Sequence, residues 1–427
     1  MSFVPEPLRI PSFRAFWLAR LATTIAQMAM VIVIGWQVYD IARETMPIRE
    51  AAFQLGLIGL VQFVPLFVLT PISGWTADRL DRRHIARAVI MLEMLCALIL
   101  FLATWEGFIS IPILFGVAAL LGVARAFAGP AFGALAPNLV ARDLLPRAIA
   151  LSSTAWQAGA IAGPAIGGIL YDVTPHLPYA VSTILFAFSA VCLFTIGPIQ
   201  RPALQAGGPL KQMADGLAYV GRNKLVLGAI TLDLFAVLLG GVIAMLPVYA
   251  RDILRVGADG LGPLRAAPAL GATATAIIFS FRPLKTNVGL KMLSAVVVFG
   301  AATAVFGIST SYLLSLAMLT LLGAADMFSV YIRQSLIQLH TPDQMRGRVG
   351  AVSTLAISAS NELGEARGGF TAAWLGPVAA TVAGGVAAIV VTLIWAGLSP
   401  SFAGPARSNF PSRHLSRPMS SRREPDL

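Results

Sequence analysis

Twelve apolar stretches, each about 20 residues long, punctuate this chain, and that pattern limits its fold more than any other feature. Hydrocarbon offers no water to a peptide group, so every backbone amide within it must be bonded inside its own helix or inside a closed barrel. Barrel strands would alternate apolar and polar residues in runs of about ten. The stretches at 25–39, 180–196 and 379–396 show no such alternation, and they predict helices. Only 12% of the 427 residues are charged, whereas soluble domains carry roughly 25%, so lipid is the solvent for most of the chain. The prediction is an all-α polytopic membrane protein with spans near 15–39, 52–73, 85–105, 110–135, 147–170, 177–197, 225–249, 260–281, 289–308, 311–335, 347–371 and 377–398.

The basic residues set the expected orientation, because cytoplasmic loops carry the excess of Lys and Arg. With the N-terminus inside, 22 of the 31 fall in inner segments. Five are counted with the outer loops (Arg43, Arg49, Arg251, Arg255, Arg265) and four fall within spans (Arg20, Arg125, Arg333, Arg367). Both termini are therefore expected in the cytoplasm, in a cytoplasmic (inner) membrane. The net charge of +11 does not point to nucleic acid, since the bases are spread over short loops and the tail; anionic lipid headgroups are the expected partner. The first apolar stretch lacks a cleavable signal pattern and is expected to remain as a span. Cys96 and Cys192 lie within apolar spans and imply neither a disulfide nor a metal site.

An internal repeat divides the spans into two halves. Gly122-Val-Ala-Arg125-Ala-Phe127 matches Gly323-Ala-Ala-Asp326-Met-Phe328 at an offset of 201 residues. Asp143, Arg147 and Ser152 match Asp343, Arg348 and Ser353 in the inner loop that follows, and Gly159 and Gly163 match Gly364 and Gly368. Three matches in the same order predict a duplication, with two parallel six-helix repeats. The expected organisation is an N-terminal half at 1–197, a cytoplasmic linker at 198–224, a C-terminal half at 225–398 and a basic tail at 399–427, whose Ser-, Pro- and Arg-rich composition predicts disorder.

Two motifs carry a family resemblance. Gly74-Trp-Thr-Ala-Asp78-Arg79-Leu-Asp81-Arg82-Arg83 lies between the second and third spans. Its spacing suits a tight helix end at Gly74, an acid able to bond neighbouring helix termini, and arginines Arg79, Arg82 and Arg83 at an inner gate. In the fifth span, Gly159-Ala-Ile-Ala-Gly163-Pro164-Ala-Ile-Gly167-Gly168 places small residues where helices approach closely and a proline where the helix can bend.

These segments resemble the loop signature and the antiporter-associated motif of the major facilitator superfamily, and together with the repeat they cover nearly the whole chain. One residue departs from the loop signature: Asp81 stands where the family has glycine, and Asp tolerates a left-handed turn better than most residues. Texture around Arg125-Ala-Phe-Ala-Gly-Pro130, Asn138 to Arg147 and Ser360-Asn-Glu362-Leu-Gly-Glu365 is similar to the branch that includes the enterobactin exporter. The resemblance implies a twelve-helix fold and export of a small molecule, a siderophore or a drug-like amphipath, by alternating access in exchange for protons. A facilitator or importer of the same fold, or a non-transporting membrane receptor, are the alternatives.

Ionisable residues inside spans are costly and mark a pathway or gate. Arg125 and Asp326 occupy equivalent repeat positions and are expected to pair across a central cavity in one state. Asp233, Glu362 and Glu365 are further coupling candidates, while Glu93 reads as a structural partner of a neighbouring helix. Arg20 and Arg333 are expected to snorkel to the inner surface. Gln27, Trp36 and Gln37 of the first span are candidates to line the cavity. The sequence holds no H-E-x-x-H, no G-x-S-x-G and no Gly-rich phosphate loop, so neither an enzyme, a cofactor, a metal nor direct use of ATP is expected. A monomer is expected.

Overall fold

The computed structural model of the chain describes residues 5–141, 143–198, 209–281 and 288–398. Twelve long helices occupy them. In the N-terminal half these are α1 (Pro11–Thr45), α2 (Ile48–Arg79), α3 (Arg82–Trp105), α4 (Ile111–Leu135), α5 (Leu145–Val173) and α6 (Leu177–Phe194). The C-terminal half holds α7 (Lys224–Gly240), α8 (Gly257–Phe281), α9 (Val288–Ile308), α10 (Tyr312–His340), α11 (Asp343–Leu375) and α12 (Pro377–Leu398). Several helices overrun their predicted spans, because a helix continues into the headgroup layer and stops only where local chemistry stops it. Before Pro47, Met46 is forced extended, which ends α1, and Pro342 and Pro377 open α11 and α12 in the same manner. Gly376, at φ +89°, makes the tight link between those last two helices.

The duplication read from the sequence is a duplication of packing. In the first half α1 packs on α5 and α6, α4 on α2 and α3, and α3 on α6; six helices later, α7 packs on α11 and α12, α10 on α8 and α9, and α9 on α12. The repeated glycines mark one contact used twice. A Cβ on Gly122 would lie 2.5 Å from the Gln62 carbonyl of α2, and one on Gly323 would collide with the Pro268 carbonyl of α8.

Three local expectations change. Helix α2 runs unbroken past Gly74 to Arg79, so the tight end lies at Leu80 and Asp81 instead. Asp81 has φ −65°, which is not left-handed; it is the N-cap of α3, accepting from the Arg83 backbone N–H at 3.0 Å and from the Arg83 guanidinium. That capping explains an acid where the resembling signature has glycine. The seventh span is not one helix: α7 ends at Gly240, and the chain continues through a 3₁₀ turn (Ile243–Met245) and a wide π turn (Tyr249–Ile253). Within the linker region, Pro209–Arg222 forms an amphipathic helix, tied to α10 and α11 by Tyr219 to the His340 carbonyl at 2.6 Å and by Arg348 to Asp215 at 3.1 Å. The basic tail lies outside the described residues.

Candidate functional site: the seam between the two halves

The two halves meet along α2 with α11 and α5 with α8. Glycine makes both approaches possible. Gly56 of α2 lies against Gly369 of α11, and a Cβ on Gly168 of α5 would stand 2.5 Å from the Ala258 carbonyl of α8. The rest of the fifth-span motif serves its own half: Gly159, Gly163 and Gly167 face α1 around Thr24, Met28 and Ala29. At the end of the bundle remote from the termini, polar bonds lock the halves together. Tyr39 donates to Asp252 at 2.5 Å, Arg43 reaches the same carboxylate at 3.4 Å, and Arg251 pairs with Asp40.

Midway along the seam lies a cavity of about 250 Å³. Trp156 and Gln157 of α5 line it from one half, and Gly240–Ile243, Phe299, Asp326, Asn361 and Glu365 from the other. The break after α7 thus forms a wall of the cavity, where unwound backbone is tolerated in a membrane protein because lipid does not reach it. Gln157 donates to Thr273 of α8 at 3.1 Å, joining the halves at the cavity rim.

The charged residues at mid-depth form two groups. Arg125 of α4 bonds Glu362 of α11 at 2.6 Å and Gln62 of α2 at 3.2 Å. The expected partner, Asp326, is not the one used; Glu362, whose backbone carbonyl lies against Gly59 of α2 at the seam, pairs with Arg125 instead. Arg265, counted from sequence with the outer loops, lies inside α8 within electrostatic range of Glu362, Glu365 and Arg125. In the second group Arg333 of α10 pairs with Asp233 of α7, which also accepts from Ser329 at 3.1 Å. Arg333 is only 1% exposed, so it does not snorkel: a buried carboxylate within reach holds it more strongly than a distant surface.

The first-span candidates separate. Gln27 donates to the buried Glu93 of α3 at 2.5 Å. Gln37 faces into its own half, accepting from Tyr179 at 2.8 Å and donating to Thr104, and Trp36 is buried in the same apolar core, so neither lines the cavity. Helical phase decides this, since Val31, Ile32 and Gly35 on the adjacent face border a smaller pocket at the seam. Arg83, the last residue of the signature, and Arg87 one turn further along α3 donate to the carbonyls of Ile196 and Leu193 at the end of α6. They cap the end of that helix. The surroundings of Gly74 and the side chain of Asp78 lie outside the described residues.

The family described as transmembrane secretion effector matches residues 3–425 of the chain. The chain belongs to that family, within the major facilitator superfamily. Among curated relatives of this chain is the enterobactin exporter EntS of Shigella boydii serotype 18, 25% identical over 400 residues that span 90% of this chain and 91% of the relative. The enterobactin exporter of Escherichia coli O1:K1 matches over the same extent. Among solved structures, the POT family transporter PepTSo superposes with a TM-score of 0.73 at 12% identity, covering 93% of this chain and 99% of its own. A bacterial homologue of the iron transporter ferroportin in an inward-facing state superposes with a TM-score of 0.65 at 18% identity, covering 92% and 99%. These likenesses establish the fold, and the family establishes a multi-pass transport protein rather than an enzyme.

Proposed function

We propose that this protein exports a small amphipathic molecule across the cytoplasmic membrane by alternating access, working as a monomer and exchanging substrate for protons. The Arg125–Glu362 ion pair carries this reading, because it joins the two halves at mid-depth beside acids that face the cavity. Alternation requires such a bond to break when the seam opens, and a carboxylate parted from its guanidinium in a poorly solvated site favours its protonated form. Asp326, Glu365, Glu362 and Asp233 are the acids available for that proton. With the termini in the cytoplasm, the locked remote end is the outer end, and the conformation described is inward-facing.

Export as the direction is supported by the curated enterobactin exporters, which align over 91% of their length. Anionic headgroups are the partners of the inner basic residues, including Arg79 and Arg82. The test begins with the medium: comparative metabolite profiling with and without the protein identifies the exported compound. Its uphill accumulation outside should then collapse when a protonophore is added while ATP is maintained. Continued accumulation under those conditions would reject proton coupling.

A further inference from the structure

The acids at mid-depth fall into two classes according to where they point. Glu362 is held by Arg125 at 2.6 Å and Asp233 by Arg333 and Ser329, and neither lines the cavity. Asp326 and Glu365 do line it, and neither makes a hydrogen bond or ion pair among the described residues. Glu365 has Arg265 within electrostatic range, while Asp326 senses only the already paired Asp233 and Arg333. Arg125, Arg333 and Arg265 thus have Glu362, Asp233 and Glu365 within reach, and Asp326 is the cavity-facing carboxylate left with no arginine of its own. Glu93 lies off the cavity, bonded to Gln27.

The remaining walls match a particular kind of ligand. Trp156 and Phe299 line it from opposite halves, aromatic rings of the kind that attract an organic cation, and Gln157 and Asn361 add neutral polar groups. A bound cation would give Asp326 the ionic partner it lacks, which an anion cannot do. We infer that the cavity between the halves binds an organic monocation of amine or quaternary ammonium type, with Asp326 as its counter-ion and Trp156 and Phe299 as its aromatic walls. This rests on the exporter reading above and narrows its substrate class: an anionic catecholate would offer Asp326 no counter-charge.

The full-length protein in lipid nanodiscs can be titrated with three probes of similar size: benzyltrimethylammonium, its uncharged carbon isostere neopentylbenzene, and 2,3-dihydroxybenzoate. The cation should bind at least about tenfold more tightly than either, a difference of about 1.4 kcal/mol. Asp326→Asn should remove most of that preference, and Trp156→Leu should weaken the cation more than the isostere. Equal or tighter binding of the isostere or the anion overturns the inference without needing any variant to fold. So does a well-folded Asp326→Asn protein that keeps the full preference. Transport is read separately in proteoliposomes. Outward pumping of an anionic compound with no cation binding would sink the substrate class and leave the exporter standing, whereas cation binding without transport would support the site and sink the exporter.

Discussion

Arg125 is the residue on which the two halves most directly depend. Glu362 is 4% exposed, so Arg125→Ala strands a buried carboxylate, whereas the guanidinium itself retains access to water. Arg125→Ala and Glu362→Gln are each expected to lower transport by at least about tenfold, with insertion unchanged, and the exchange Arg125→Glu with Glu362→Arg should restore a measurable fraction. Single variants that transport normally would remove the pair from the mechanism. Arg333 and Asp233 are enclosed on both sides, and breaking them should cost about 3–5 kcal/mol, read as a lowered thermal unfolding temperature in detergent. The double replacement by alanine should cost less than Arg333→Ala alone, because it leaves no charge behind. Asp81 carries a pH dependence: hydrogen bonds from the Arg83 guanidinium, foremost, lower its carboxyl to about 2. A depressed carboxylate stabilises the fold fully above its unfolded value, near 3.9, and that contribution is lost as pH falls from there through about 2. The stability difference between the native chain and Asp81→Asn should therefore be constant at neutral pH and vanish across that acidic window; a flat difference would show that the cap does not depend on charge.

Among the helices, the division of labour follows what each one touches. Nine segments are long and apolar enough to cross a membrane by composition among the described residues, and α5, α8 and α11 are not among them. Those three line the seam, where neighbouring protein covers faces that lipid would otherwise meet, so they can carry Arg265, Glu362, Glu365 and a stripe of glycines. The glycines are contact surfaces. A methyl group at Gly168 must displace either the Ala258 carbonyl or α5 itself. Gly168→Ala is expected to part α5 from α8, so spin labels at Glu44 and Asp259, at the remote end, should report a longer distance than in the native chain. An unchanged distance would mean that the seam closes by other contacts. Breaking α7 at Gly240 costs helical hydrogen bonds, and the exposed backbone gains a place on the cavity wall in return.

At the scale of the whole molecule, each half packs by the same internal plan and the two meet through few polar bonds. Apart from Arg125–Glu362, the ion pairs that join the halves among the described residues sit at the end remote from the termini. A seam closed at one end and hollow in the middle is the geometry that rocking of two rigid halves requires. Topology gives this picture its direction. Reporter fusions at Glu44 and Asp259 should score outside and one at Asp81 inside; the opposite pattern would turn the described conformation into an outward-facing one.

What the sequence determined by itself was whatever lipid imposes locally: helices wherever apolar runs exclude water, an ending wherever proline follows, and a twofold plan because Gly122 and Gly323 recur with their neighbours. It also picked out Arg125, Asp326, Asp233, Glu362 and Glu365, since a charge inside a span is conspicuous whatever its partner. It could not pair them. Spacing along one helix says nothing of which acid on another helix lies nearest, so Arg125 was matched with Asp326 by symmetry, while packing of α2 against α11 brought Glu362 to it instead. Hydropathy places Arg333 and Arg265 near the surface because it measures depth along a helix and not the face a side chain takes. Only the tertiary structure decided which acids are neutralised and which look into the cavity, because that depends on distances between helices, and those are set by the small residues along the seam.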